Sequence, residues 1–143
     1  MSALTYKRVK LIEICLFFCV CFVAASYIAP ANAPDELMRY PIAQFIYENK
    51  KLPTGMEDSL INELWGFSYA VYPYLTSIIS AFFMKIVSIF AASETSLLIA
   101  ARLTSVFAGT GTMIMCFKIG EQLFEERHYS VLLASLVGFL PQF

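Results

Sequence analysis

"LIEICLFFCVCFVAASYIA" (11–29) carries one charge, Glu13, across about twenty residues, enough to cross about 30 Å of hydrocarbon. Lys7, Arg8 and Lys10 precede it. The positive-inside rule therefore puts the N-terminus in the cytoplasm and the segment that follows on the outside. Glu13 lies close enough to this basic end to snorkel beside Lys10. A signal peptide is the competing reading, because "ANA" (31–33) imitates an A-x-A cleavage site. Pro34 directly after it is a poor position for cleavage, and further apolar runs follow, so a retained anchor is favoured.

The rest of the chain agrees with a bilayer setting. Of its 143 residues 59% are hydrophobic and 15% charged, with mean hydropathy +0.67. Soluble domains are nearer 45–50% apolar and about 25% charged, so the expected class is an all-α, polytopic membrane protein in contact with lipid. A net charge of −1 gives no reason to expect a nucleic-acid partner. Cys15, Cys19, Cys21 and Cys116 all lie in apolar runs without a CxxC pair, and His128 has no ligand partner at useful spacing. Neither a Cys/His metal site nor a disulfide framework is expected.

Residues 30–68 form a polar segment with six acids and three bases, an external loop on this topology. Asn32 can cap a helix with Pro34 in its first turn and Asp35 three residues on. Pro41 would break that helix and start a second, "PIAQFIYENKK" (41–51). There Ile42, Phe45, Ile46 and Asn49 follow the i, i+3, i+4, i+7 spacing of a short amphipathic helix against a membrane or protein surface.

Three apolar stretches follow. Residues 67–92 contain Pro73 and Lys85 and read as a juxtamembrane or spanning helix. Residues 96–120, with Arg102 near one end and Lys118 near the other, read as a spanning helix. Ala101, Ser105, Gly109 and Thr112 give it a stripe of small residues for close packing. Residues 129–143 stop after about fifteen residues, too few to span. The chain is therefore expected to be the N-terminal part of a larger protein, or a short product of one. If 67–92 spans, the 118–128 loop is external. If it only dips into the membrane edge, that loop returns to the cytoplasm, the option toward which Lys118 and Arg127 lean.

With these segments in place, the order of elements resembles the GT-C membrane glycosyltransferases. "PDELMRYPIAQFIYENKKLP" (34–53) is similar to their first external loop, which often reads P-D-E-x-x-x-Y/F-x-x-A before a basic residue and a proline. "YPYLTSIISAFFMKI" (72–86) resembles the next element, a P-x-L segment ending in a base. "SETSLLIAARLTSVFAGTGTMIMCFKIGEQLF" (93–124) resembles the A-R-L-x-S element after it. Ala70, Val71 and Tyr72 stand before Pro73 where the family often has Lys or His, and Pro41 falls where many members have a helix former. The resemblance implies transfer of a sugar from a polyprenyl-phosphate donor to an acceptor outside the cytoplasm. It assigns Asp35 as general base and gives Glu36 the task of orienting the site or assisting a divalent cation. No other cofactor is implied.

The chemistry asks for such groups. A carboxylate must take the acceptor hydroxyl's proton as it attacks the sugar's C1, and positive charge must stabilise the departing phosphate. Asp35 and Glu36 also suit the positive end of a helix dipole with no catalysis at all. Arg102 inside an apolar run costs about 2.5–3.5 kcal/mol at mid-membrane, so it is expected to face protein or water. It could pair with an acid, hold the carrier phosphate through its planar fork, or snorkel to the interface. Lys85 is the second phosphate-binding candidate and equally suits a cation reaching for head groups. The reading from another class is a non-enzymatic membrane protein, a transporter subunit or assembly partner whose polar loop binds a second protein.

Overall fold

A computed structural model describes residues 2–30, 32, 36–63, 66–71 and 74–140. The described residues form five α-helices and no strand: α1 (Ala3–Tyr27), α2 (Glu36–Asn49), α3 (Leu75–Val87), α4 (Glu94–Leu123) and α5 (Arg127–Phe139). Short 3-10 turns at Asp58–Leu60 and Tyr69–Val71 punctuate the segment between α2 and α3. By length and composition α1 and α4 can each cross a membrane. α3 has 13 residues, which at about 1.5 Å per residue reach about 20 Å, short of a hydrocarbon core.

α1 begins well before the apolar run. Ser2 caps it, with its Oγ accepting the Thr5 N–H at 3.2 Å, so the basic residues 7–10 are helical rather than a loose tail. Ser93 does the same for α4 through the Ser96 N–H at 3.2 Å.

The chain divides into two compact units. The first comprises residues 1–24 and 105–143. Here Tyr6 and Lys10 meet Glu121 while Phe18 meets Phe107, so the α1 and α4 stretches run antiparallel. Tyr6, Met113, Phe117 and Ala134 form the core, flanked by Phe17 and Val131. Lys10 pairs with Glu121 at 2.8 Å rather than with Glu13, which instead accepts a hydrogen bond from Ser135 at 3.1 Å. All four cysteines are free thiols, and His128 lies 3.1 Å from Glu126.

The small-residue stripe does not act as one packing face. Gly109 admits the Phe17 ring, whose edge would lie 3.3 Å from an added Cβ, but Ser105 and Thr112 are exposed. Val106, Met113 and Phe117 fill the core instead, because wide side chains occupy the space that close backbone approach would have removed. The close approach occurs one turn further on, where a Cβ at Gly120 would lie 2.7 Å from the Ser130 Cα. That neighbour is backbone and cannot swing aside. Gly120→Ala is expected to lose roughly 1–3 kcal/mol through overpacking. The measurement is unfolding in detergent, with Gly111→Ala, which meets nothing within 4 Å, as the neutral reference.

The second unit comprises residues 25–104. Pro41 does not divide α2. The helix runs through it, since the one lost bond would go to the carbonyl of exposed Leu37. Pro34 and Asp35, expected in the first turn, lie outside the described residues, as do Tyr72 and Pro73. The amphipathic face of α2 meets protein: Ile42 is buried with Leu60 and Ala70, and Phe45 and Ile46 pack against them. On another side, Ala43 packs with Met84, Ala100 and Ala101. Ser80 satisfies its buried hydroxyl by donating to the Ala101 carbonyl at 3.0 Å and lies 2.9 Å from the Thr104 hydroxyl.

Glu57 organises the loop after α2. Its carboxylate accepts from the Thr54 N–H (2.9 Å), the Thr54 hydroxyl (3.0 Å) and the Gly55 N–H (2.9 Å). These bonds, led by the Thr54 amide, hold the Glu57 carboxyl below the ordinary glutamate pKa. The depressed folded value makes the loop's extra stability fully present above the unfolded pKa. That stability is lost as pH falls through the folded one. Amide exchange at Thr54 and Gly55 is expected to accelerate on acidification through that window. The same acceleration in Glu57→Gln would overturn the assignment.

Candidate functional site

Arg102 lies two turns inside α4, and its guanidinium reaches two other elements of the same unit. Its Nε donates to Glu36 Oε1 at 2.7 Å and its Nη2 to Glu36 Oε2 at 2.8 Å, a bidentate fork. Its Nη1 donates to the carbonyls of Ala25 (2.8 Å) and Ile28 (2.7 Å), and Nη2 also donates to Ala29 (3.3 Å). An arginine side chain has five N–H donors, and all five are used.

The local sequence explains why this arrangement forms. α1 ends at Tyr27, leaving carbonyls without intrahelical partners. A cation at a helix C-terminus is favoured by the dipole, as is an acid in the first turn of α2, where Glu36 stands. Arg102 answers both demands together. The pair is largely shielded, with side-chain exposures of 13% for Arg102 and 11% for Glu36. It ties the end of α1, the start of α2 and the first turns of α4 at one place.

Of the residues expected to act, Glu36 and Arg102 are brought together, and the acid partner anticipated for Arg102 is Glu36. Asp35, the expected base, lies outside the described residues and immediately precedes the braced Glu36 in the chain. Lys85 is exposed in the last turn of α3 and does not join the pair. The divalent cation implied beside Asp35 and Glu36 rests in part on a residue outside the described ones. Of that pair, Glu36 turns both carboxylate oxygens to the Arg102 guanidinium.

Tyr40, one turn beyond Glu36 on α2, adds a further polar group beside the pair. Its hydroxyl is buried without a hydrogen-bond partner among the described residues. Burial raises its pKa, and the carboxylates of Glu94, Glu48 and Glu36 raise it further, so the phenol stays protonated and able to donate. An open groove of about 320 Å³ lies between Leu37 and Pro41 of α2 and residues 59–63, which supply the polar side chains Ser59, Asn62 and Glu63. Comparison of the chain with protein-family models, with curated proteins and with solved structures finds no match.

Proposed function

We propose that this chain is the N-terminal part of a polytopic, GT-C-like glycosyltransferase that moves a sugar from a polyprenyl-phosphate carrier to an extracytoplasmic acceptor. The observation that carries the reading is the Arg102 fork on Glu36, because it fixes the residue next to Asp35 at the end of a span-length helix. A carrier lipid keeps its tail in the bilayer and its sugar at the interface, the depth at which such a carboxylate is needed. Asp35 takes the proton from the acceptor hydroxyl as it attacks C1, and the phosphate leaves with the carrier. Glu36 and Arg102 act as positioning residues. The groove beside Leu37 and Pro41 gives the acceptor a place to lie near the first turn of α2.

The N-terminus is cytoplasmic on this reading, and residues 30–68 are external. The antiparallel course of α1 and α4 within the first unit and the shortness of α3 support a topology in which α3 does not span. One observation favours the non-enzymatic reading: Arg102 has no donor left for a carrier phosphate unless a carbonyl contact opens. The deciding experiment is sugar transfer by the complete protein in vesicles, with and without Asp35→Asn. Loss of transfer supports the enzyme, and full activity in the variant refutes the assignment.

A further inference from the structure

We infer that the groove between α2 and residues 59–63 is a docking subsite for a lysine side chain of an extended external peptide, with the alkyl stem on its apolar walls and the ammonium at Glu63. Leu37 and Pro41 stand i, i+4 on one face of α2, and Leu60 and Ile61 complete the aliphatic lining. Leu37 is exposed by 62% and Ile61 by 38%, so apolar surface is left uncovered within a concave site. A volume of about 320 Å³ is at the small end of ligand cavities and suits one long side chain. The site is also preformed. Leu60 is anchored in the core with Ile42 and Ala70. The backbone around it is closed by the Leu60 N–H to the Glu57 carbonyl (2.9 Å), the Ile61 N–H to Asp58 (3.3 Å) and the Asn62 N–H to Phe67 (3.1 Å). A ligand there need not order the loop, which removes a usual cost of binding.

Three observations select an alkylammonium as the occupant. Glu63 is exposed and makes neither an ion pair nor a side-chain hydrogen bond among the described residues, whereas Glu36 is held by Arg102 and Glu57 by Thr54 and Gly55. An ionised carboxylate only accepts, so its partner must donate. No base lines the groove and Asp58 adjoins it, so a phosphate or carboxylate finds no counter-charge there. That excludes the amine of a phospholipid head group, which arrives with its own phosphate. Arg39 lies two residues from both Leu37 and Pro41, about 200° round the helix from the groove face. Finally, the stem of a lysine covers aliphatic surface while its head reaches a polar acceptor. A sugar ring would instead turn hydroxyls toward Leu37, Pro41, Leu60 and Ile61, which offer side chains no hydrogen bond. If the proposed transfer holds, the lysine belongs to the acceptor; the docking itself does not rest on that reaction.

The test titrates the full chain in detergent micelles, with no sugar donor present, against the peptide acetyl-Ala-Ala-Lys-Ala-Ala-amide and its counterpart with norleucine in place of lysine. Backbone amide shifts of residues 59–63 report occupancy. The lysine peptide is expected to move these resonances and to bind about fivefold more tightly than the norleucine peptide, the upper range for an exposed ion pair. Glu63→Gln is expected to abolish that preference, and Glu48→Gln, which removes an exposed acid elsewhere on α2, to leave it intact. In the unaltered chain the preference should also fade at about 1 M salt, where exposed pairs are screened, a readout that needs no variant to fold. Equal affinity for the two peptides would mean that the groove reads only apolar surface. Equal losses in the two variants would mean attraction to overall negative charge. Binding that leaves 59–63 unmoved, or no binding at all, would mean that the groove takes no peptide. Each of these results overturns the inference, and without a donor in the sample they are distinguishable from a failure of the transfer reaction.

Discussion

Arg102→Ala is expected to destabilise the fold by about 3–5 kcal/mol, the characteristic cost of removing one partner of a shielded ion pair. Glu36 would keep its charge at 11% side-chain exposure with neither of its two bonds to the guanidinium. The carbonyls of Ala25 and Ile28 would lose the guanidinium donor in the same step, while that of Ala29 keeps the Asn32 N–H at 3.3 Å. Glu36→Ala should cost less, because the guanidinium loses its counter-charge but keeps its carbonyl acceptors at Ala25, Ile28 and Ala29. The informative variant is the double one, Glu36→Met with Arg102→Met. Apolar residues of comparable volume in place of a buried pair are often neutral, so the double variant should recover about half of either single loss. Additive single effects, measured by denaturant unfolding in detergent, would show that the two residues act independently and that no brace exists.

The same experiment separates two roles for the arginine. A snorkelling side chain would relax into the interface on removal of Glu36, and unfolding would hardly change. A brace would not, because its geometry is set by two helix ends at once. The structure favours the brace: every donor is directed, and two segments, residues 25–29 at the end of α1 and Glu36 at the start of α2, supply the acceptors.

What the sequence made legible was whatever depends on local composition. Uninterrupted apolar runs disclosed α1 and α4, because nothing but length and hydropathy decides whether a helix can reach across hydrocarbon. The apolar face of α2 was equally plain from Ile42, Phe45 and Ile46. What it packs against was not, since Leu60 and Ala70 approach it only through tertiary folding. Pro41 misled because its penalty depends on the fate of one carbonyl, which sequence cannot show. The early start of α1 rests on Ser2, whose Oγ accepts the Thr5 N–H and so caps the helix ahead of the apolar run. For the candidate site, an arginine in an apolar run announced that it needed a partner. That the partner is Glu36 required knowing that residues 66 positions apart meet.

Asp35→Asn is expected to lower transfer by the complete protein about 10²–10⁴-fold, the usual contribution of a positioned general base. The amide keeps the size of the carboxylate and can still accept a hydrogen bond, but it cannot take the acceptor's proton. Unfolding should therefore be unchanged, which distinguishes this variant from those at Arg102 and Glu36, where activity and stability should fall together. The pH profile supplies a second readout. A carboxylate base must be ionised to act, so the wild-type rate should fall as acid protonates it, while the residual rate of Asp35→Asn should lack that limb. Glu36→Gln tests the division of labour. Its amide nitrogen would point a donor at a guanidinium that offers only donors, loosening the fork of 2.7 Å and 2.8 Å without removing the base. Its residual rate should keep the acid limb that Asp35→Asn loses. If instead Glu36→Gln erases that limb and Asp35→Asn retains it, the base is Glu36, and Asp35 serves only the first turn of the helix.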